Sequence, residues 1–414
     1  MTRSGGGGRP ARGPRPVRDP YGLLPAGTPV AAVLSVVGLL VIALATVSLA
    51  NGDLPLTADG GGPDGSGGPG IVTRTPTPSN VIVIPDDPLA DVPGTIVYVK
   101  AGNVWLQSGR TVRQLTTGGR DSMPSFSPDG EAVVFVRTRQ VNGYWTVDGV
   151  GKDYRLEVPS IMTVPTAGGD ATRILDGIVD PSGRRKWQGW IRQPVMSPDG
   201  KTIALATDLP DPTTSDVVLK LYTLRTNKIT NLGLSQQMPL GHQDPAWRPD
   251  GARLLYVRND RDGAKGAPRI YSYNPSTKKT APVTAPGYLH PSWSPDGRYI
   301  AATKTSAFGT DVVILDAATG AELLRLTSDG DSWAPTWSPR GDQVAFLHVS
   351  GQVVDLRLAQ LEGRAPAWTV KETIDITTSA GLDSLSRPDW FISADELPAS
   401  PAPSVSPGAS PSGS

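Results

Sequence analysis

Residues 291–305 read PSWSPDGRYIAATKT. A proline and an aromatic precede Ser-Pro-Asp-Gly, and a short apolar run follows it. Proline presets φ at the first central position of a tight turn. Asp suits the second, and Gly takes the next position, where a side chain is unfavourable. The stretch therefore reads as strand, turn, strand. Related copies are PSFSPDG from Pro124, PVMSPDG from Pro194, PAWRPDG from Pro245, PTWSPRG from Pro335 and a decayed PDWFISA from Pro388. With Pro291 included, the prolines are spaced 70, 51, 46, 44 and 53 residues apart. A period of ~40–50 residues built from short strands is the signature of propeller blades.

Each unit supplies further strands. AVVFVRT, TIALATD, RLLYVRN, YIAATKT and QVAFLHV follow the turns, and their apolar, β-branched content suits strands buried between sheets. Third strands (SIMTVPT, KLYTLRT, RIYSYNP, VVILDAA, VVDLRLA) and fourth strands (TRILDG, KITNLG, APVTAPG) complete four per unit. Residues 95–119 supply a second, third and fourth strand with no first, and 388–392 supply a first with nothing after it. The expected fold is all-β, a six-bladed β-propeller of four-stranded antiparallel blades over residues 95–396. Pairing 388–392 with 95–119 closes the ring and removes free edges.

The run PSWSPDGRYIAATKT followed by VVILDAATGAELLRLTSDG resembles the WD40-like repeat of TolB-type β-propellers. The resemblance extends over about three-quarters of the chain. Such propellers serve as periplasmic binding proteins, as peptidase domains and as lyases. The resemblance therefore implies a fold and leaves the function open.

The remaining segments differ in character. Residues 1–27 carry Arg3, Arg9, Arg12, Arg15 and Arg18 against one acid, Asp19, among Gly and Pro, the composition of a disordered basic tail. Pro29 to Ala50 is 22 residues without a charge, enough to cross a ~30 Å hydrocarbon core as a helix. We read residues 28–50 as a single transmembrane helix. Arginine on the cytoplasmic side places the N-terminus inside and the propeller outside. The alternative is a signal peptide cleaved near Ala50, but the apolar run exceeds the usual ~7–15 residue core. Residues 51–94 read as a flexible linker and 397–414 as a disordered Pro/Ser tail.

Several chemistries are absent from the sequence. No cysteine is present, so disulfides, thiolate metal sites and a cysteine nucleophile are excluded. A formal net charge of zero gives no electrostatic footprint for nucleic acid. No G-x-S-x-G, P-loop or H-E-x-x-H occurs. The Ser-Pro-Asp-Gly copies themselves tolerate Arg248 for Ser and Arg340 for Asp, as a turn does and a repeated catalytic group does not. Phe126, Trp247, Trp293, Trp337 and Trp390, with Met196 in the same slot, read as inter-blade packing.

Two candidate sites remain. His242 in GHQDPAW and His290 in YLHPSW are placed in connections entering adjacent blades, near one end of the central channel. With Asp244 they are candidate ligands for a divalent metal. The resemblance extends to propeller-type lyases of pectate-derived oligosaccharides, which use a histidine-rich metal centre, although only two histidines fall here. Ordinary hydrogen bonding at the channel mouth is the competing reading. The insertions RTRQVNGYWTVDGVGKDYRLEVP and DGIVDPSGRRKWQGWIRQ, with the shorter DLPDPTTSD and NDRDGAKGAPR, all fall on one face, opposite the Ser-Pro-Asp-Gly turns. Elaborated loops on a rigid scaffold commonly carry binding. Arg184, Arg185, Lys186, Trp187, Trp190 and Arg192 form a basic-aromatic cluster there, with Tyr144 and Trp145 as neighbours. The group suits a protein, glycan or anionic polymer, or else Trp187 and Trp190 simply pack the insertion onto the blades. The expected protein is a membrane-anchored binding or scaffold module of a bacterial envelope, without a cofactor. Its partner would be an envelope protein, a peptide or a cell-surface polymer. The rival is a metal-dependent lyase or hydrolase at His242 and His290.

Overall fold

Each Ser-Pro-Asp-Gly turn is closed by its own side chains. Ser127 Oγ donates to Asp129 Oδ1 (2.5 Å) and accepts the Ala132 N–H (2.9 Å), while the Glu131 N–H reaches Asp129 Oδ1 (3.1 Å). The same pattern recurs at Ser197 with Asp199 and at Ser294 with Asp296. Gly130 has φ +71°, a left-handed conformation open to glycine at no steric cost. The serine hydrogen bond, then the backbone one, hold the carboxyls of Asp129 and Asp199 below the ordinary range. These aspartates serve the turn, and the turns join first strands to second strands.

The computed structural model describes residues 81–83, 92–147, 150–179, 186–212, 214–234, 241–259 and 268–397. The basic tail, the 28–50 span and all but the first residue of the 397–414 tail lie outside them. Among the described residues no helix is long and apolar enough to cross a membrane.

The described strands form six blades. The first contains β1 (Val81–Val83), β2 (Thr95–Lys100), β3 (Asn103–Ser108) and β4 (Thr111–Gln114). The second contains β5 (Asp121–Phe126), β6 (Ala132–Val147), β7 (Val150–Pro165) and β8 (Thr172–Asp176). A small ribbon of β9 (Ile178–Val179) and β10 (Trp187–Gln188) precedes the third, which has β11 (Ile191–Met196), β12 (Thr202–Thr207), β13 (Val218–Thr223) and β14 (Lys228–Asn231). The fourth has β15 (His242–Trp247), β16 (Leu254–Arg258), β17 (Arg269–Asn274) and β18 (Lys279–Pro282). The fifth has β19 (Tyr288–Trp293), β20 (Tyr299–Ser306), β21 (Gly309–Asp316) and β22 (Glu322–Arg325). The sixth has β23 (Ser332–Trp337), β24 (Gln343–Ser350), β25 (Val353–Arg364) and β26 (Ala367–Asp375). Finally β27 (Asp389–Phe391) pairs antiparallel with β2, Ile96 opposite Trp390, and becomes the inner strand of the first blade. The all-β, six-bladed, four-stranded antiparallel fold read from the repeat is the fold observed.

Burial explains why these segments are strands. The second strands are the driest: Val133, Val134, Phe135, Ile203, Leu205, Leu254, Leu255, Ile300 and Phe346 are all at 0% exposure. Both faces of a central strand are covered by neighbouring blades, which favours continuous β-branched and aromatic runs. Among the repeated aromatics, Phe126, Trp337 and Trp390 are buried, at 8%, 4% and 5% exposure. Trp247 and Trp293 are only partly buried, and Arg248 stacks 5.8 Å from the Trp293 ring centroid.

Two expectations need correction. Residues 51–94 do not read wholly as linker, because Val81–Val83 pairs with Thr111–Arg113 and adds a fifth, outermost strand to the first blade. A β-branched triplet against an unpaired outer edge is a sufficient reason. The insertion after the second strand of the second blade is not a loop either. The strands run on: β6 and β7 are 16 residues each, in unbroken register from Ala132 opposite Pro165 to Val147 opposite Val150. On the β7 arm, DYRLEV alternates polar and apolar residues with the period of two that suits a strand.

Candidate functional site

The inner strands β5, β11, β15, β19, β23 and β27 surround the central channel, and five of them share one irregularity. Immediately before the repeat proline, Met123, Gln193, Asp244, His290 and Ala334 have φ of 53°, 50°, 54°, 47° and 52°. The ladder register shifts at the same place in each of these strands. Each is a β-bulge, which re-aims one side chain per blade.

The re-aimed groups bond from blade to blade. The Gln193 N–H lies 3.2 Å from Met123 Sδ, the Asp244 N–H donates to Gln193 Oε1 (2.7 Å), and the His290 N–H points to Asp244 Oδ2 (3.3 Å). Gln193 Nε2 donates back to Asp244 Oδ1. Further round, Thr303 Oγ1 accepts the Ala334 N–H (2.9 Å), and Ser386 Oγ accepts the Met123 N–H (3.0 Å). In the sixth position stands Arg387, before Pro388. It donates to the carbonyls of Pro291 (3.0 Å) and Pro245 (3.1 Å), in blades across the ring. The channel is thereby spanned by an arginine and belted by side-chain-to-backbone bonds. Sequence reading missed Arg387, although the signal was available: it is the residue before the sixth repeat proline.

The three candidate metal ligands separate on this frame. Aligned on the prolines, His290 corresponds to Asp244, and His242 corresponds to Tyr288, two residues earlier. The two histidines are therefore not equivalent, and both lie within inner strands rather than in the connections. His242 is 3% exposed, accepts the Leu219 N–H at Nδ1 (3.0 Å) and packs against Tyr256. Burial, with Arg258 adding to it, pushes its pKa down to about 3. Asp244 and His290 do face each other, Nε2 to Oδ2 at 3.8 Å, while Thr303 Oγ1 lies 3.1 Å from His290 Nδ1. Burial lowers the His290 pKa, opposed by Asp244 and reinforced by Arg387. Among the described residues no three His, Asp or Glu side chains converge as a metal site.

The opposite candidate lies on the loop face. Arg184 and Arg185 fall outside the described residues. Trp187 is partly buried in β10, opposite Val179. Trp190 is partly buried, its N–H donates to Asp208 Oδ1 (2.7 Å), and the Arg192 guanidinium lies 4.8 Å from its ring centroid. Burial raises the Asp208 pKa to about 6. Lys220 anchors the same loop, donating to the carbonyls of Asp208 (3.3 Å) and Leu209 (2.7 Å) and to Ser215 Oγ (2.8 Å). The insertion meets the long hairpin: a methyl placed on Gly143 would sit 2.6 Å from Leu156 Cδ1 and 3.3 Å from the Lys186 carbonyl oxygen. Tyr144 is adjacent and 41% exposed, and Trp145 follows in β6 opposite Lys152. The structure thus gathers Lys186, Trp187 and the Tyr144 segment at one place, with Trp190 tied to Asp208 and Arg192 stacked on the Trp190 ring. It also adds apolar groups that the sequence did not mark. Of the six exposed large apolar side chains among the described residues, five lie on the loop face: Tyr144, Val150, Tyr154, Phe308 at 93% and Leu385 at 60%.

Comparison with known proteins bears on the scaffold. Residues 183–380 match the family described as TolB beta propeller domain. The Tol-Pal system protein TolB of Francisella tularensis subsp. tularensis (strain WY96-3418) is 24% identical over 273 residues, 61% of this chain and 54% of its own. That of subsp. mediasiatica (strain FSC147) is 24% identical over 272 residues, with the same coverage. The chain spans about half the length of the curated relatives it matches. The crystal structure of TolB from Acinetobacter baumannii superposes with a TM-score of 0.53 at 18% identity, covering 73% of this chain and 67% of that one. That likeness concerns the fold.

Proposed function

We propose, from the premise that this chain carries a TolB-like β-propeller, that it is an extracytoplasmic binding or scaffold module which engages its partner through the loop face. The observation carrying this is the asymmetry of the two faces. The turn face is built of self-satisfied Ser-Pro-Asp-Gly turns, whereas the loop face holds the projecting hairpin, the Trp187–Arg192 insertion and five of the six exposed large apolar groups. Exposed apolar groups gathered on one face of a polar scaffold mark interaction surfaces. The binding residues are Trp187, Trp190, Arg192, Tyr144 and Trp145, with Arg184 and Arg185 contributing from the adjoining sequence.

The partner is an envelope protein, a peptide or a cell-surface polymer. Residues 28–50 anchor the chain as a single span with a cytoplasmic N-terminus, and the following linker gives the propeller reach near the membrane. Cleavage near Ala50 would instead release it. The test is photo-crosslinking in cells from Phe308 and Leu385 on the loop face and from Asp199 and Asp296 on the turn face. Capture confined to the loop face, and lost on Trp187→Ala with Trp190→Ala in a folded protein, is the expected result. Equal capture from both faces sinks the assignment.

A further inference from the structure

Past Thr138 and Pro159 the second blade narrows to two strands. β5 reaches only as far as Arg137, and β8 pairs only with Ser160 to Thr163, while β6 and β7 continue together to Val147 and Val150. A two-stranded ribbon is marginal by itself, and among the described residues no third strand pairs with either edge of this one. Which backbone groups the β7 edge presents follows from one hydrogen bond. The Gly177 N–H donates to the Pro159 carbonyl (2.8 Å), so Pro159 points away from β6. Strand alternation, with no register shift in between, gives Glu157, Arg155, Asp153 and Gly151 the same outward orientation. All four are exposed.

We propose that this edge is a homodimerisation element. β7 pairs antiparallel with β7 of a second copy of this chain, about a two-fold axis at Tyr154. A two-fold pairing must match outward residues with outward residues, so the axis passes through a residue and not between two. An axis at Lys152, Asp153 or Arg155 sets like charges directly opposite. An axis at Leu156 requires Glu157 to meet the copy's Arg155, but Glu157 is already held by Arg120 (2.8 Å) and Gln140 (2.7 Å). An axis at Tyr154 places Asp153 opposite the copy's Arg155, and Arg155 opposite the copy's Asp153. Both are hydrogen-bonded pairs of the new ladder. Tyr154, 39% exposed, then meets its own copy on the axis. Charges on an edge strand ordinarily block indiscriminate pairing. Here the order Lys-Asp-Tyr-Arg is complementary only to itself in the antiparallel, two-fold sense, which closes at two copies and propagates no further.

This assignment is independent of what the loop face binds. It is tested on the full chain by sedimentation velocity over a concentration series. The wild-type chain is expected to be in monomer–dimer equilibrium. Asp153→Arg alone, or Arg155→Asp alone, sets two like-charge pairs at the interface and should weaken the dimer by roughly 30-fold. Mixing the two single variants opposes unlike charges again and should restore a dimer that neither forms alone, as should the double variant D153R/R155D. Circular dichroism reports that each variant is folded. A wild-type chain that remains monomeric overturns the proposal. So does a dimer indifferent to the single reversals, or a mixture no better associated than its components.

Discussion

The belt of inner strands and the β6–β7 hairpin solve opposite problems with the same polar chemistry. In the belt, Gln193, Asp244 and Arg387 turn inward and bond backbone groups of neighbouring or facing blades, while the His290 imidazole meets Thr303 and faces Asp244. In the hairpin, Asp153, Arg155 and Glu157 are exposed along an edge of β7 with which no described strand pairs. A polar group bonded within a closed ring stabilises the scaffold, and its loss leaves buried partners unsatisfied. A polar group on an edge contributes little to the fold and chiefly controls what pairs with it. Position relative to the ring decides the role, and residue type does not.

The contrast is sharpest in stability. Arg387→Ala strips the charged donors from Pro245 and Pro291 and should cost about 3–6 kcal/mol. Arg155→Ala should stay within ~0.5 kcal/mol. Urea denaturation midpoints at unchanged slope check both, and comparable losses would break the comparison.

The pH response separates the same regions. His242 is held at about 3 against an ordinary 6.5. Its folded value is depressed, so the unfolded chain takes up the proton first as pH falls. The contribution to stability is whole above about pH 6.5 and is lost as pH drops toward 3, by on the order of 5 kcal/mol. His242→Gln should flatten that limb of a stability–pH curve, and an unchanged limb refutes the assignment.

Asp208 tests the joint between blades and insertion with the opposite sign. Its folded value is raised to about 6 from 3.8, so the ionised form costs stability at neutral pH. Stability should rise as pH falls from above 6 toward 3.8. Asp208→Asn keeps an acceptor for the Trp190 N–H. It should be about 1–2 kcal/mol more stable at pH 7 and should lack that rise.

The smallest effect belongs to the hairpin. A methyl on Gly151 would lie 1.7 Å from Tyr144 Oη, at the far end of a side chain that is free to swing. Gly151→Ala should therefore change stability by less than ~1 kcal/mol while exposing the Tyr144 ring to solvent. A thermal unfolding curve together with tyrosine accessibility to a solute quencher reads both.

The belt was partly legible because each repeat proline marks one blade and the residue before it marks one belt position. That rule places Asp244, His290 and Arg387 together. Reading the two histidines by local context instead joined His242 to His290, an error of two residues that the bulge makes decisive. The hairpin was legible only as an insertion. Its alternation was visible in DYRLEV, but nothing in one strand states where its partner stops supporting it. The Trp187–Arg192 cluster was gathered from sequence neighbours. Its hold on the blades through Asp208, eighteen positions on, comes from just past the end of β12.

Sequence alone determined the blade count, the antiparallel order, the turn chemistry and the division into two unlike faces. All of these depend on local propensity and a countable period. Only the tertiary structure decided which side chains the bulges turn into the channel, that Arg387 spans it, that His242 is buried against Leu219 and Tyr256, and that no described strand pairs with the edge of β7 beyond Pro159. Those outcomes depend on bonds closed between residues tens to hundreds of positions apart. One repeat carries no record of them, because the same Pro-aromatic unit accepts a Met, Gln, Asp, His, Ala or Arg before it and only the assembled ring gives that choice a partner.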